Sequence, residues 1–247
     1  MGEGAPTVVF LHGLVMDNLS SWYFTVANHV AKQSSVLLYD LRGHGRSERT
    51  PTGYSVPDMV SDLDALLQAE CPEQRVVLVG NSFGGLLALA FAVEHPERIE
   101  SLVLVDAHWS DEGWADKMVS TLALQGTERD EKIADAFQHW LGRHSERKRN
   151  RLAQNAEQLV YGTSLLSDLQ NSPVCSAEQL STVSVPVLAL YGDESDIRDR
   201  GSRLADLLPQ CTLEWLPQCT HSILWEATET IRERIVDWIE TFRRASS

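Results

Sequence analysis

The chain has 247 residues, 43% of them apolar and 23% charged, with a formal net charge of −14 at pH 7. That length can bury a sizeable core as one domain with an insertion, and the negative surplus argues against nucleic-acid binding, because like charges repel the phosphates. No apolar run approaches the ~20 residues of a membrane span, and MGEGAPTVVFLHG lacks the basic flank and apolar centre of a secretory leader, so a cytoplasmic protein with no membrane association is expected.

In chain order, Thr7–Leu11 is an apolar, β-branched run that leads into FLHGL. Val36–Tyr39 is a second strand candidate and opens into the glycine-rich YDLRGHGRS. A helix is expected after Ser55, with Val56, Met59, Val60, Leu63, Leu66 and Leu67 at helical spacing. Ser55 and Asp58 form a candidate capping box, and Pro57 lies in the first turn, where its missing N–H does no harm. Val76–Val79 is a third strand, and Gly84–Glu94 a small, apolar helix expected to be buried. Ser101–Val105, Val185–Tyr191 and Thr212–Leu216 complete six strand candidates. All are apolar on both faces, as in a parallel sheet covered on both sides. The last helix, about 226–242, carries an Ile231, Ile235, Trp238, Ile239, Phe242 stripe.

From 107 to 183 the strand–helix alternation stops, and patterns such as EKIADAFQHWLG and RNRLAQNAEQLVYG predict a helical insertion. The domain reading is therefore a core of 1–106 and 184–247 with a cap of 107–183. Cys71, Cys175, Cys211 and Cys219 lack metal-type spacing and read as free thiols, and no metal or organic cofactor is required.

GNSFG fits G-x-S-x-G, with a strand before it and a helix after it. Gly80 and Gly84 suit a turn that brings two backbones close and holds Ser82 under strain. A serine that merely caps the helix is the competing reading. Against it, His221 follows the last strand, and serine first, acid next and histidine last is the order of one known triad. The amides of Leu14, after the His-Gly pair, and of Phe83, after the serine, are the candidate oxyanion donors.

LHGL, YDLRGHGRS, GNSFGG, LVLVDA, VPVLALYGD and CTHSILWE, in that order, resemble the α/β-hydrolase fold superfamily over nearly the whole chain. The resemblance implies a mostly parallel sheet and a helical cap inserted after the sixth family strand. The site would lie beneath that cap. Only six residues precede the first strand, so the family's opening hairpin is expected to be missing. The VLLYD strand would then lie near a sheet edge, which favours an oligomer or a covering segment.

Family members most often place the acid three residues after the glycine of VPVLALYG, where this chain has Ser195. The other placement supplies Asp106, which is favoured here, with Asp196 as the alternative acid. His12 is expected to pack under the oxyanion loop, His44 to be solvated, and His108 and Trp109 to line the pocket.

These residues predict a serine hydrolase that acts on an ester or thioester of a bulky apolar acyl group. The tone of HGLVMDNLSSWYF also resembles thioesterases of polyketide assembly, for which an acyl carrier protein would be a partner and Arg143–Arg151 a docking cluster. Two alternatives stay open: a cofactor-free lyase, cyclase or haloperoxidase-like protein that uses the triad for proton transfer, and a non-catalytic binding protein.

Overall fold

A computed structural model describes residues 1–126 and 146–245 of the chain. The stretch EKIADAFQHWLG lies outside the described residues, as do Arg143 and the side chains of Arg147, Lys148 and Arg149.

Six parallel strands form one sheet: β1 (Thr7–Leu11), β2 (Val36–Leu38), β3 (Val76–Asn81), β4 (Ile99–Val105), β5 (Val187–Gly192) and β6 (Cys211–Leu216). Their order is β2-β1-β3-β4-β5-β6, so β1 and β3 sit at the reversal of winding. In open sheets of this kind, ligands collect beyond the carboxyl ends of the strands at that point.

The period-two pleat sorts the strand residues between two cores. Val8, Phe10, Val77, Val79, Val103, Val105 and Leu190 pack with Trp22, Ile231, Ile235 and Ile239 on one face. Val9, Leu11, Leu78, Leu104, Ala189 and Tyr191 pack with Met59, Leu63 and Phe91 on the other. This double coverage explains why the runs are apolar without alternation.

Helix Val56–Glu70 begins as its sequence requires, with Ser55 and Asp58 in a reciprocal capping box. Helix Phe83–Glu94 is buried on almost every side, and the closing helix spans Thr228–Ala245. Between β1 and β2 the chain forms a helical stretch whose middle, Tyr23–Ala27, is π-helical, a feature that no sequence period announces. Between β4 and β5 the described residues form the helices Trp114–Leu122, Glu146–Gly162, Leu165–Gln170 and Ala177–Ser181.

β2 is an edge strand, and the first residues of the chain pair with part of it. Val36 N–H donates to the Met1 carbonyl at 2.7 Å, the Met1 ammonium donates to the Val36 carbonyl at 2.8 Å, and Ser35 N–H donates to Gly4 at 2.9 Å. Edge groups that would otherwise template another strand are thus satisfied within the chain. No described helix is long and apolar enough to cross a membrane.

Candidate active site

β3 runs straight into helix Phe83–Glu94, and Ser82 is the single residue between them, at φ 54° and ψ −116°. So sharp a turn needs the strand and helix backbones in near contact. A Cβ on Gly80 would lie 2.4 Å from the Gly84 carbonyl oxygen, and one on Gly84 would lie 2.3 Å from that of Leu11. Both glycines are therefore required by space.

The Ser82 backbone is anchored on either side of Asp106. Its N–H donates to the Val105 carbonyl at 3.0 Å, and its carbonyl accepts from His108 N–H at 3.1 Å. Asp106 N–H in turn donates to Leu190 at 2.8 Å.

The Ser82 hydroxyl makes no capping bond to its helix, which sets aside the helix-cap reading. Ser82 Oγ instead lies 2.9 Å from His221 Nε2, and His221 Nδ1 lies 2.6 Å from Asp106 Oδ2. The Asp106 carboxylate is fully buried, where a charge persists only when well paired. Oδ2 also accepts from Ser195 Oγ at 2.5 Å, and Oδ1 accepts from Gly192 N–H at 2.9 Å.

Burial pulls the His221 pKa down, but the hydrogen bond and charge of Asp106, with a contribution from Asp196, outweigh it. The net pKa is raised above 6.5. Asp196 thus acts on the imidazole only through its charge. It lies at the exposed rim of the cavity and is not the hydrogen-bond partner considered as the alternative acid. The His221 loop is tied down by Thr220 N–H and Oγ1 donating to Glu226 at 2.7 and 2.8 Å, and by Glu194 N–H donating to the Cys219 carbonyl at 3.0 Å.

Of three consecutive amides after β1, two are committed. Gly13 N–H donates to Asp17 Oδ2 at 2.9 Å, and Val15 N–H donates to His44 Nε2 at 2.7 Å. The Leu14 N–H between them has no acceptor among the described residues, and neither has that of Phe83 at the helix start. Leu14 and Ser82 line the same cavity.

That cavity, about 410 Å³, is walled by Leu14, Met16, Trp114, Met118, Leu122 and Val160, with His108, Ser82 and His221 at one end. Of its charged lining residues, Lys117, Glu157, Glu194 and Asp196 are exposed and mark the mouth, whereas Arg200 is half-buried and paired with Asp111. Trp109 does not line it. Its ring is buried, with the Arg203 guanidinium 5.4 Å above it. Trp114 supplies the aromatic wall instead, stacked on Phe83 at 6.1 Å.

His44 also departs from expectation. It is 3% exposed rather than solvated, because the insertion covers its loop: a Cβ on Gly43 would meet Leu159 at 2.7 Å. His12 is buried beneath the β1 loop, its ring 5.2 Å from that of His44. Desolvation lowers the pKa of His12 to about 4 and that of His44 to about 3, so both are neutral. Among the described residues no group of three or more His, Cys, Asp and Glu side chains could hold a metal ion, and the four cysteines are unbridged.

A family model described as the alpha/beta hydrolase fold matches residues 6–228. A 2-hydroxy-6-oxo-2,4-heptadienoate hydrolase of Pseudomonas putida is 40% identical over 111 residues, which are 43% of this chain and 39% of that protein. A proline iminopeptidase of Pestalotiopsis fici is 34% identical over 116 residues, 45% of this chain and 41% of that one. The chain thus matches about two fifths of the length of these relatives. Among solved structures, a thermophilic esterase from Thermogutta terrifontis superposes with a TM-score of 0.80 over 97% of this chain and 91% of its own, at 22% identity. At that identity the likeness speaks to the fold.

Proposed function

The chain belongs to the alpha/beta hydrolase fold family, and on that premise we propose that it is a serine hydrolase acting on an ester or thioester of a bulky, apolar acyl group. The observation that carries this reading is the unbroken relay from Ser82 Oγ through His221 to Asp106, which opens on an apolar cavity.

Ser82 attacks the acyl carbonyl while His221 Nε2 takes its proton, and Asp106 stabilises the imidazolium from the Nδ1 side. The charge on the carbonyl oxygen is received by the N–H groups of Leu14 and Phe83, which have no other acceptor among the described residues. His221 then protonates the leaving alcohol or thiol. A water, deprotonated by the same nitrogen, releases the acid and restores Ser82.

The apolar wall suits the acyl chain, and the charged mouth faces the solvated leaving group. A carrier-bound thioester is one form this substrate could take.

Incubation with a p-nitrophenyl alkylphosphonate tests the proposal. One equivalent of adduct on Ser82 by intact mass is expected, together with loss of p-nitrophenyl ester hydrolysis in Ser82→Ala. Turnover of an ester that persists in Ser82→Ala would overturn it.

A further inference from the structure

His12 and His44 take no part in acyl transfer as described, yet both imidazoles are buried and both of their ring nitrogens are engaged. Leu41 N–H donates to His12 Nε2 at 2.9 Å, which leaves the proton on Nδ1 to donate to the Gly13 carbonyl at 2.7 Å. Val15 N–H donates to His44 Nε2 at 2.7 Å, and His44 Nδ1–H donates to the Arg42 carbonyl at 2.8 Å.

These contacts fall on the two peptide groups that flank Leu14. The Gly13 carbonyl and the Leu14 N–H are opposite ends of one planar unit, so the His12 bond fixes the direction of that N–H. The Leu14 carbonyl and the Val15 N–H belong to the next unit, which the His44 bond fixes.

Val15 itself has φ 64°, and Met16 N–H returns to the Leu14 carbonyl at 2.8 Å. That is a three-residue turn of the rare, strained hand. A β-branched residue is an outlier there and persists only where its surroundings hold it.

We propose that His44 is a positioning residue for acyl transfer: by accepting the Val15 N–H it holds the strained turn and, with His12 on the other side, keeps the Leu14 N–H aimed at the oxyanion. This rests on the serine-hydrolase reading. It also requires a neutral imidazole, since an imidazolium has no acceptor at Nε2.

Two substitutions separate the two ring nitrogens. In His44→Asn the amide can reach the Arg42 carbonyl but leaves nothing where Nε2 stood. In His44→Gln the longer side chain can place its carbonyl oxygen there. For a p-nitrophenyl ester, kcat of His44→Asn is expected to fall about 30-fold, less than the roughly 10²–10³-fold cost of a lost oxyanion donor because the Leu14 N–H is misaimed rather than removed, with KM within about twofold. The affinity of an alkylboronic acid, whose adduct carries the oxyanion, should fall by a similar factor, while His44→Gln stays within about fivefold of the parent.

Glycine takes a positive φ freely, so adding Val15→Gly to His44→Asn should restore both the melting temperature and most of kcat. A kcat in His44→Asn within threefold of the parent, or equal losses in the Asn and Gln variants, would overturn the role. So would recovery of the melting temperature without kcat, because His44 would then be packing only. Ser82→Ala, assayed alongside, distinguishes the two levels. If it is inactive while His44→Asn is not impaired, only the positioning role is lost; if it retains turnover, the hydrolase reading fails first.

Discussion

Ser195 and His221 share a single oxygen. The Ser195 hydroxyl and His221 Nδ1 lie 2.5 and 2.6 Å from Asp106 Oδ2. Ser195 occupies the position at which family members most often carry the acid, so in this chain that position serves the displaced carboxylate as a hydrogen-bond donor. Ser195→Ala removes one of two donors and leaves more charge facing the imidazole. The expected result is a shift of the acid limb of kcat/KM to higher pH, with a loss of about threefold to tenfold in kcat from a looser carboxylate. A pH–rate profile identical to the parent's would contradict this.

Loss of the acid should be severe but transferable. Asp106→Asn is expected to lower kcat by about 10³–10⁴-fold, as the imidazole loses both its orientation and its counter-charge. Because Ser195 Oγ already touches Oδ2 of Asp106, the double variant Asp106→Asn with Ser195→Asp should regain at least tenfold of that loss. Steady-state kinetics of the three proteins would show whether the carboxylate can be moved.

His221 must be neutral to accept a proton, and its pKa lies above 6.5 because Asp106 outweighs desolvation. The rate should therefore decline as pH falls through a value above 6.5 rather than below it. In Asp106→Asn, where burial acts without its counterweight, the limb should move below that of the parent. A limb that does not move would show that Asp106 does not set the basicity of His221.

The two neutral histidines have the opposite linkage. Their folded pKa values, about 4 for His12 and about 3 for His44, lie below the 6.5 of the unfolded chain. Between those limits the unfolded state binds more protons, so stability declines as pH falls from 6.5, by about 1.4 kcal/mol per pH unit for each group. Asp17, buried beside them with its pKa raised by desolvation, opposes part of this. Urea unfolding of parent and His44→Gln at pH 7, 6 and 5 should show the parent losing stability more steeply.

The cavity wall predicts chain-length selectivity. Leu122→Trp fills space that a long acyl chain would occupy, so kcat/KM should fall at least about tenfold for decanoyl esters and change little for acetyl esters. Equal effects on both would place the acyl group elsewhere.

What the sequence disclosed follows from how local each rule is. Strand, turn, serine and helix succeed one another within a few residues of GNSFG, and the steric need for Gly80 and Gly84 is a property of that turn alone. Asp106 and His221 were visible because the first follows a buried strand and the second follows the last strand, and parallel strands carry such ends to one side of the sheet. Ser195 was read only as the absence of an acid, since nothing local says what a loop hydroxyl will meet. Trp109 and Trp114 look alike in sequence. Which one faces the cavity depends on how the segment after β4 folds back over Phe83. His44 misled because glycines usually signal exposure, whereas here they let Leu159 and Tyr54 approach closely.

Ser82 and Asp106 are stitched to one another through Val105 and His108, and to β5 through Leu190, while the His221 loop is bound to the turn after β5 by Glu194 N–H on the Cys219 carbonyl at 3.0 Å and Gln218 N–H on Asp193 Oδ1 at 2.7 Å, as well as to Glu226. The attacking group, the counter-charge and the base therefore share one frame built from neighbouring strand ends. No one of the three can drift out of line without parting bonds that join the ends of β4, β5 and β6.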